Sequence, residues 1–185
     1  PDLRQAKLTS NIKDIRIWID KEGSNPILNL KNILTELKLN NKNIGIEYES
    51  YGLTGRNTIM LNNCLKNFAN LIDESFLISK LRLIKSKSEM VYIKKAAKLA
   101  DLALKKAWEL ARPGMNEAKI LSEMQGIILA EGGDYPGNEF IIGSGNKALL
   151  CRYFSGRRKL SKIDQLTLEF AGVYRHYHAA LMRTI

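Results

Sequence analysis

The sequence predicts an α/β (α+β) protein in two parts, with a boundary near residue 84. Before this boundary, short strand-like runs alternate with helical segments. After it, two long amphipathic helices precede a series of strand-like pieces. The 185 residues, 45% of them hydrophobic and 26% charged, have the composition of a globular protein and suffice for one medium domain or two small ones.

The N-terminal part contains signals for helices and one strand. Ser24 and Pro26 predict a helix start, since apolar residues at helical spacing follow them. Residues 43–48 alternate between apolar and other side chains, which predicts a strand. Residues 58–68 are again predicted to be helical, whereas the apolar run of residues 76–84 fits a strand or a connector.

The C-terminal part begins with a strong helix signal. Ser86 and Glu89 have the spacing of a capping box, and small apolar residues then form one face of a long helix that residues 112–114 end. Asn116 is predicted to cap a second helix over residues 117–130.

Strand-like pieces follow at residues 140–145, 166–174 and 178–185. The sequence ends within the last of them, and a complete domain seldom ends inside a strand. We therefore expect this chain to be a piece of a longer domain.

Charge and cysteine content limit the compartment and the partners. The net charge is +10, but the lysines are spread along the chain, and the dense cluster at residues 157–159 falls at an expected turn, so we do not expect a nucleic-acid partner. No apolar run approaches the ~20 residues of a membrane helix, and no secretory signal is recognisable. Cys64 and Cys151 are far apart and do not suggest a disulfide framework. We expect a cytoplasmic protein without a membrane partner.

Short motifs alone reveal little chemistry. The sequence has no phosphate-binding glycine loop, no nucleophile elbow and no cysteine pairs for zinc. Its two histidines, His176 and His178, would face the same side of a predicted strand. A zinc site requires three or four ligands, and two histidines alone do not supply them. The simpler interpretation is that one or both line a pocket or the core and are held there by hydrogen bonds.

Residues 138–184 carry a longer pattern, which resembles the first half of the pita-bread fold shared by creatinase, methionine aminopeptidase and the proline-specific peptidases. The preserved positions are Ser144-Gly145, Tyr153, Asp164, Tyr177 and Arg183-Thr184. The resemblance implies a partial creatinase-type N-terminal domain over residues 1–84. It implies the first half of a pita-bread catalytic domain over residues 85–185.

The departures from this pattern concern the metal site. In the peptidases, two carboxylates from this half bind divalent metals; one position falls on Glu169, but the other falls on Ala180, which has no donor atom. Arg152 stands at the position of the substrate-site histidine, and its permanent positive charge disfavours a nearby metal pair. Arg152 also replaces the catalytic base of creatinase, and Met182 replaces a substrate-binding glutamate of that enzyme. We therefore predict no metal and no cofactor.

Four longer blocks are similar to the ectoine hydrolases of this family: residues 51–57, 132–145, 148–153 and 164–184. The resemblance implies a metal-independent hydrolase that opens the cyclic amidine ring of ectoine to an acetylated diaminobutyrate. The substrate would be ectoine or a similar small zwitterion, and the full-length protein would be a homodimer.

The residue types suit this chemistry. Glu169 is predicted to attract the amidinium and act as nucleophile or general base, and Arg152 to clamp the substrate carboxylate through two hydrogen bonds. His178 or His176 is predicted to transfer a proton or contact substrate. Glu139 and Tyr174 are weaker candidates for lining the substrate pocket.

Alternatives remain open from the sequence. Glu169 and Arg152 could form a purely structural ion pair, and Cys151 could be a nucleophile if a base lies beside it. The protein could also be a metal-dependent Xaa-Pro peptidase, or a catalytically silent pita-bread binding module.

Overall fold

The computed structural model describes residues 2–150 and 158–185. The chain divides into two compact units, Pro1–Ile84 and Lys85–Ile185. Among the described residues, none of the helices combines the length and the apolar character that crossing a membrane would need.

The first unit contains a β-α-β arrangement. Two short strands pair in parallel, with Asn43 opposite Asn70 and Ile46 opposite Asp73, and a helix connects them. Ile27, Leu34, Leu61 and Leu65 form its buried core. The elements, in chain order, are α1 (Asp2–Thr9), α2 (Pro26–Glu36), β1 (Asn43–Ile46), α3 (Gly55–Leu65), β2 (Asn70–Asp73) and α4 (Leu77–Leu83).

Two local details of this unit differ from the sequence prediction. The side chain of Asn25, not Ser24, caps α2 by accepting hydrogen bonds from the backbone N–H groups of Ile27 and Leu28. The run 76–84, which fitted a strand or a connector, contains helix α4 instead. Two basic residues lie in its last turn, where their positive charges are stabilised by the negative end of the helix dipole.

The second unit packs two helices against an antiparallel sheet. Its elements are α5 (Lys87–Leu110), α6 (Glu117–Ala130), β3 (Ile141–Ser144), β4 (Leu166–Tyr174) and β5 (Tyr177–Thr184), and the sheet order is β3-β4-β5. The capping box of Ser86 and Glu89 is confirmed, as is the Asn116 cap of α6. Within the described part of the chain, fourteen buried residues from the helices, the strands and the segments beside them form one continuous core.

The two faces of β4 have different surroundings. Leu168 and Phe170 are buried in the core with the helices, and at Gly172 the strand approaches α5 so closely that a Cβ atom would lie 2.0 Å from the carbonyl oxygen of Ala96. Successive side chains of a strand point to opposite faces, so Glu169 and Ala171 face away from the helices. This second face of the sheet carries the candidate site.

Candidate active site

A cavity of about 120 Å³ lies on the face of the sheet that is turned away from the helices. Its wall includes residues from three segments: Glu139 from the segment before β3, Glu169 and Ala171 of β4, and His178 and Ala180 of β5. Three of the predicted site residues, Glu139, Glu169 and His178, are therefore brought together.

Strand register explains this convergence. Glu169 pairs with Met182, Ala171 with Ala180, and Val173 with His178. Directly opposed residues of an antiparallel pair share a face, so Glu169, Ala180 and His178 lie on one face although they are up to eleven residues apart.

Two carboxylates line the cavity. Glu169 is half-buried and Glu139 is exposed. Within residues 2–150 and 158–185, no hydrogen bond or ion pair engages either carboxylate. Two anionic groups on one small cavity form an attractive environment for a cationic group.

The imidazole of His178 is held at both nitrogens. Its Nδ1 lies 2.9 Å from the carbonyl oxygen of His176, and the backbone N–H of Gly137 donates to its Nε2 over 2.9 Å. Both ring nitrogens are therefore engaged in contacts with the backbone. The proton transfer suggested for His178 by the sequence stays a prediction.

Tyr174 and His176 lie away from the cavity. Tyr174 points to the helix side of the sheet, where its ring packs 5.8 Å from that of Tyr92. Lys95 donates a hydrogen bond to its hydroxyl over 3.2 Å, and Lys95, followed by Arg175, lowers the pKa of this phenol. The predicted pocket-lining role of Tyr174 therefore has no support in its position.

His176 occupies the turn between β4 and β5. Arg175 and His176 have φ angles of +50° and +64°, as expected for a two-residue hairpin turn of type I′. The prediction that His176 and His178 face the same side of one strand is wrong, because His176 belongs to the turn and not to the strand. Its backbone N–H donates to the carboxylate of Asp134 over 3.1 Å.

Arg152 and Cys151 lie outside the described residues, as does Tyr153 of the family pattern. The clamp predicted for Arg152 and the alternative nucleophile Cys151 therefore stay predictions.

Sequence reasoning missed a buried polar network at the other end of the sheet. The hydroxyl of Ser144 donates to Glu117 over 2.6 Å, and Arg158 donates to this hydroxyl over 2.7 Å. Arg158 also forms a two-point ion pair with Asp164, whose carboxylate also accepts from the backbone N–H of Ser161. Arg158 first, and then this backbone N–H, hold the pKa of Asp164 well below its ordinary value of 3.8.

This network joins the start of α6, the end of β3 and the segment that leads into β4. It therefore fixes the direction in which β4, with Glu169, enters the sheet. The sequence signal was present, since Ser144 and Asp164 belong to the family pattern, but their partners are 27 and 6 residues away along the chain.

Comparison with known sequences decides the family. The sequence model of metallopeptidase family M24 matches residues 91–185, slightly more than half of the chain. The chain belongs to this family. Solved M24-type structures also share its fold: the X-Pro aminopeptidase of Thermotoga maritima matches with a TM-score of 0.79 at 21% identity over 98% of this chain, which is 48% of that protein.

Individual relatives of the M24 chain are named for different activities. The Xaa-Pro dipeptidase of Pyrococcus furiosus is 27% identical over 96% of this chain and 51% of its own length. The ectoine hydrolase of Halomonas elongata is also 27% identical, over 77% of this chain and 38% of its own length. The chain spans about half the length of the first of these relatives and less of the second. The expected pita-bread fold is confirmed, whereas identity at this level does not separate the two activities.

Among the described residues of this M24 chain, the donor set does not fit the metal pair that the family name implies. Ala180 faces the cavity beside Glu169 and offers a methyl group in place of a carboxylate. His178 faces it too, but both its nitrogens are engaged. In the described ranges, no group of three or more His, Cys, Asp or Glu side chains is placed to hold an ion. Neither Glu169 nor Glu139 therefore belongs to such a group of three among the residues that the structure describes.

Proposed function

We propose that the complete protein is a metal-independent hydrolase that opens the cyclic amidine ring of ectoine to an acetylated diaminobutyrate. The observation that carries the proposal is the pair of carboxylates, Glu169 and Glu139, on a small cavity where Ala180 replaces a metal ligand. An amidinium cation complements this charge without a metal. The cavity volume of about 120 Å³ is smaller than the ~300–1,000 Å³ of common ligand pockets. A cavity of this size suits a small substrate.

The reaction needs one water molecule. In the proposed sequence, Glu169 accepts a proton from water while the water oxygen bonds to the amidinium carbon. An electron pair of the added oxygen then forms the carbonyl of the acetyl group as the ring C–N bond breaks and its electron pair goes to nitrogen. Glu169 returns its proton to this leaving nitrogen, and the proton of the added hydroxyl also passes to it, so that the products are an amide and an ammonium group. The carboxylate of Glu139 stabilises the positive charge of the bound ring, and Arg152 is proposed to hold the substrate carboxylate through hydrogen bonds.

A metal-dependent Xaa-Pro peptidase is the second candidate. The names of several relatives favour it, among them the dipeptidase of Pyrococcus furiosus. The donor set favours ectoine, because Ala180 leaves Glu169 without its carboxylate companion. The two candidates make opposite predictions for substrate and for metal requirement.

The experiment measures hydrolysis of ectoine and of an Xaa-Pro dipeptide by the complete protein, with and without added divalent metal. We expect ectoine turnover without metal, and a loss of at least ~100-fold in kcat for Glu169→Gln, the order associated with removal of a general base. Arg152→Lys should mainly raise KM, since an ammonium does not reproduce a bidentate contact.

The matched control is Glu123→Gln. It removes a carboxylate from the same unit, but Glu123 pairs with Lys119 on the surface of α6 and does not line the cavity, so ectoine turnover should stay within about twofold. Metal-stimulated dipeptide hydrolysis without ectoine turnover would refute the proposal. Turnover of Glu169→Gln within about threefold of wild type would assign Glu169 a structural role.

A further inference from the structure

The segment between α6 and β3 is held against the β4–β5 hairpin by three hydrogen bonds. The backbone N–H of Asp134 donates to the carbonyl of Val173 over 2.9 Å, and the carboxylate of Asp134 accepts from the N–H of His176. The third bond joins the N–H of Gly137 to Nε2 of His178. We call residues 133–139 the site loop, because Glu139 at its end lines the cavity.

The third bond fixes the protonation of His178. A backbone N–H can only donate, so Nε2 must be the unprotonated nitrogen. The hydrogen of the neutral ring is then on Nδ1, where it is donated to the carbonyl of His176. This carbonyl belongs to the tight turn, so the imidazole links the turn on one side to the site loop on the other.

The ring and the loop are in direct contact at Gly137. A Cβ atom on Gly137 would lie 3.4 Å from Nε2 of His178, at the short end of ordinary van der Waals contact. Beyond this point the chain continues through Asn138 to Glu139, and both residues line the cavity.

We propose that His178 is a positioning residue that holds the site loop on the hairpin and thereby fixes Glu139 at the cavity that contains Glu169. Its role is that of a hydrogen-bond acceptor for Gly137 and a donor to the turn, and it exchanges no proton with substrate. Only the kinetic test of this inference rests on the proposed function, because it assays ectoine hydrolysis. The loop contact itself is measurable without any substrate.

Three substitutions in the complete protein separate positioning from proton transfer. In His178→Gln, the side-chain carbonyl can take the place of Nε2 and accept from Gly137, but it does not titrate. His178→Asn is too short to reach Gly137 although it keeps an amide near the Nδ1 position, and His178→Ala removes both contacts. The Asn variant thus serves as the matched polar control for the Gln variant.

Hydrogen exchange of the peptide that contains Gly137 is the substrate-free measurement. We expect exchange in His178→Asn to be about tenfold faster than in wild type, as for loss of one ordinary hydrogen bond, with His178→Gln close to wild type. Nitrogen NMR of the wild-type imidazole should show Nδ1 protonated and Nε2 unprotonated. Equal exchange in all variants, or a ring protonated at Nε2, would overturn the proposal.

Kinetics provide the second measurement. In ectoine hydrolysis, His178→Gln should keep at least about a third of wild-type kcat/KM, while the Asn and Ala variants lose about tenfold or more. If His178→Gln is as inactive as His178→Ala while Gly137 stays protected, His178 takes part in the chemistry and the proposal is wrong. If wild type does not turn over ectoine, the proposed function fails, but the exchange and NMR results still decide the role of His178.

Discussion

Substitution of Gly172 by alanine tests how the strand that carries Glu169 is held in place. At this residue β4 lies directly on α5: an added Cβ would lie 2.0 Å from the carbonyl oxygen of Ala96 and 2.4 Å from the amide nitrogen of Ala100. Both are backbone atoms of a long helix, so neither can turn aside as the end of a flexible side chain would. The strand and the helix would have to move apart.

Overpacking of a core typically costs about 1–3 kcal/mol. Because the clash at Gly172 is with two backbone atoms of α5, we expect Gly172→Ala to lose about 3 kcal/mol in the free energy of unfolding, the upper end of that range. Separation of β4 from α5 would also loosen the contacts of Leu168 and Phe170, which are 0% and 3% exposed in the core between strand and helices. The loss therefore comes from strain and from weakened packing together.

The assay is urea unfolding of the complete protein, followed by far-ultraviolet circular dichroism. Gly126→Ala is the control, because Gly126 lies within α6 and an alanine methyl group there would meet nothing within 4 Å. That change should stabilise by up to about 1 kcal/mol, the difference in helix propensity. A Gly172→Ala protein within about 0.5 kcal/mol of wild type, the usual range of a neutral surface change, would refute the close packing of β4 on α5.

Two further predictions concern the buried network and the metal. Arg158 and Ser161 lower the pKa of Asp164 in the folded protein. The ionised carboxylate therefore stabilises the fold at pH values above its ordinary pKa of 3.8, and this contribution is lost as the pH falls from 3.8 through the lower pKa of the folded protein. Asp164→Asn should therefore lower the melting temperature at pH 7, and the gap to wild type should narrow below about pH 4; a gap independent of pH would contradict this origin. Elemental analysis of the complete protein, purified without chelator, should find no stoichiometric zinc, manganese or cobalt, since Ala180 supplies no ligand; one or two ions per protomer would show that a different ligand set exists.

Local signals explain which elements were predictable. The capping box of Ser86 and Glu89 and the Asn116 cap act over three residues or fewer, so the starts of α5 and α6 follow from neighbouring residues alone. β4 was likewise predictable over its full length, Leu166–Tyr174. By contrast β2, with only four residues, Asn70–Asp73, is too short for a hydrophobic period and depends on its pairing with β1.

The candidate site was partly predictable for the same reason. Glu169 and Ala180 could be identified because the family pattern fixes their positions along β4 and β5. His178 was also identified as a site residue, since its residue type suggests proton transfer. Its partner Gly137 is 41 residues away, and only the folded chain shows that this contact occupies the imidazole.

The sequence by itself therefore determined the order of helices and strands after residue 84, the family, and the carboxylate at residue 169, because these depend on local spacing and on matched residues. Tertiary structure alone decided which residues share a surface. Strand register placed Glu169 and Ala180 at one cavity, the type I′ turn removed His176 from it, and the alternation of β4 turned Tyr174 to the helix side. These outcomes depend on pairing between distant segments, for which a single strand carries no signal.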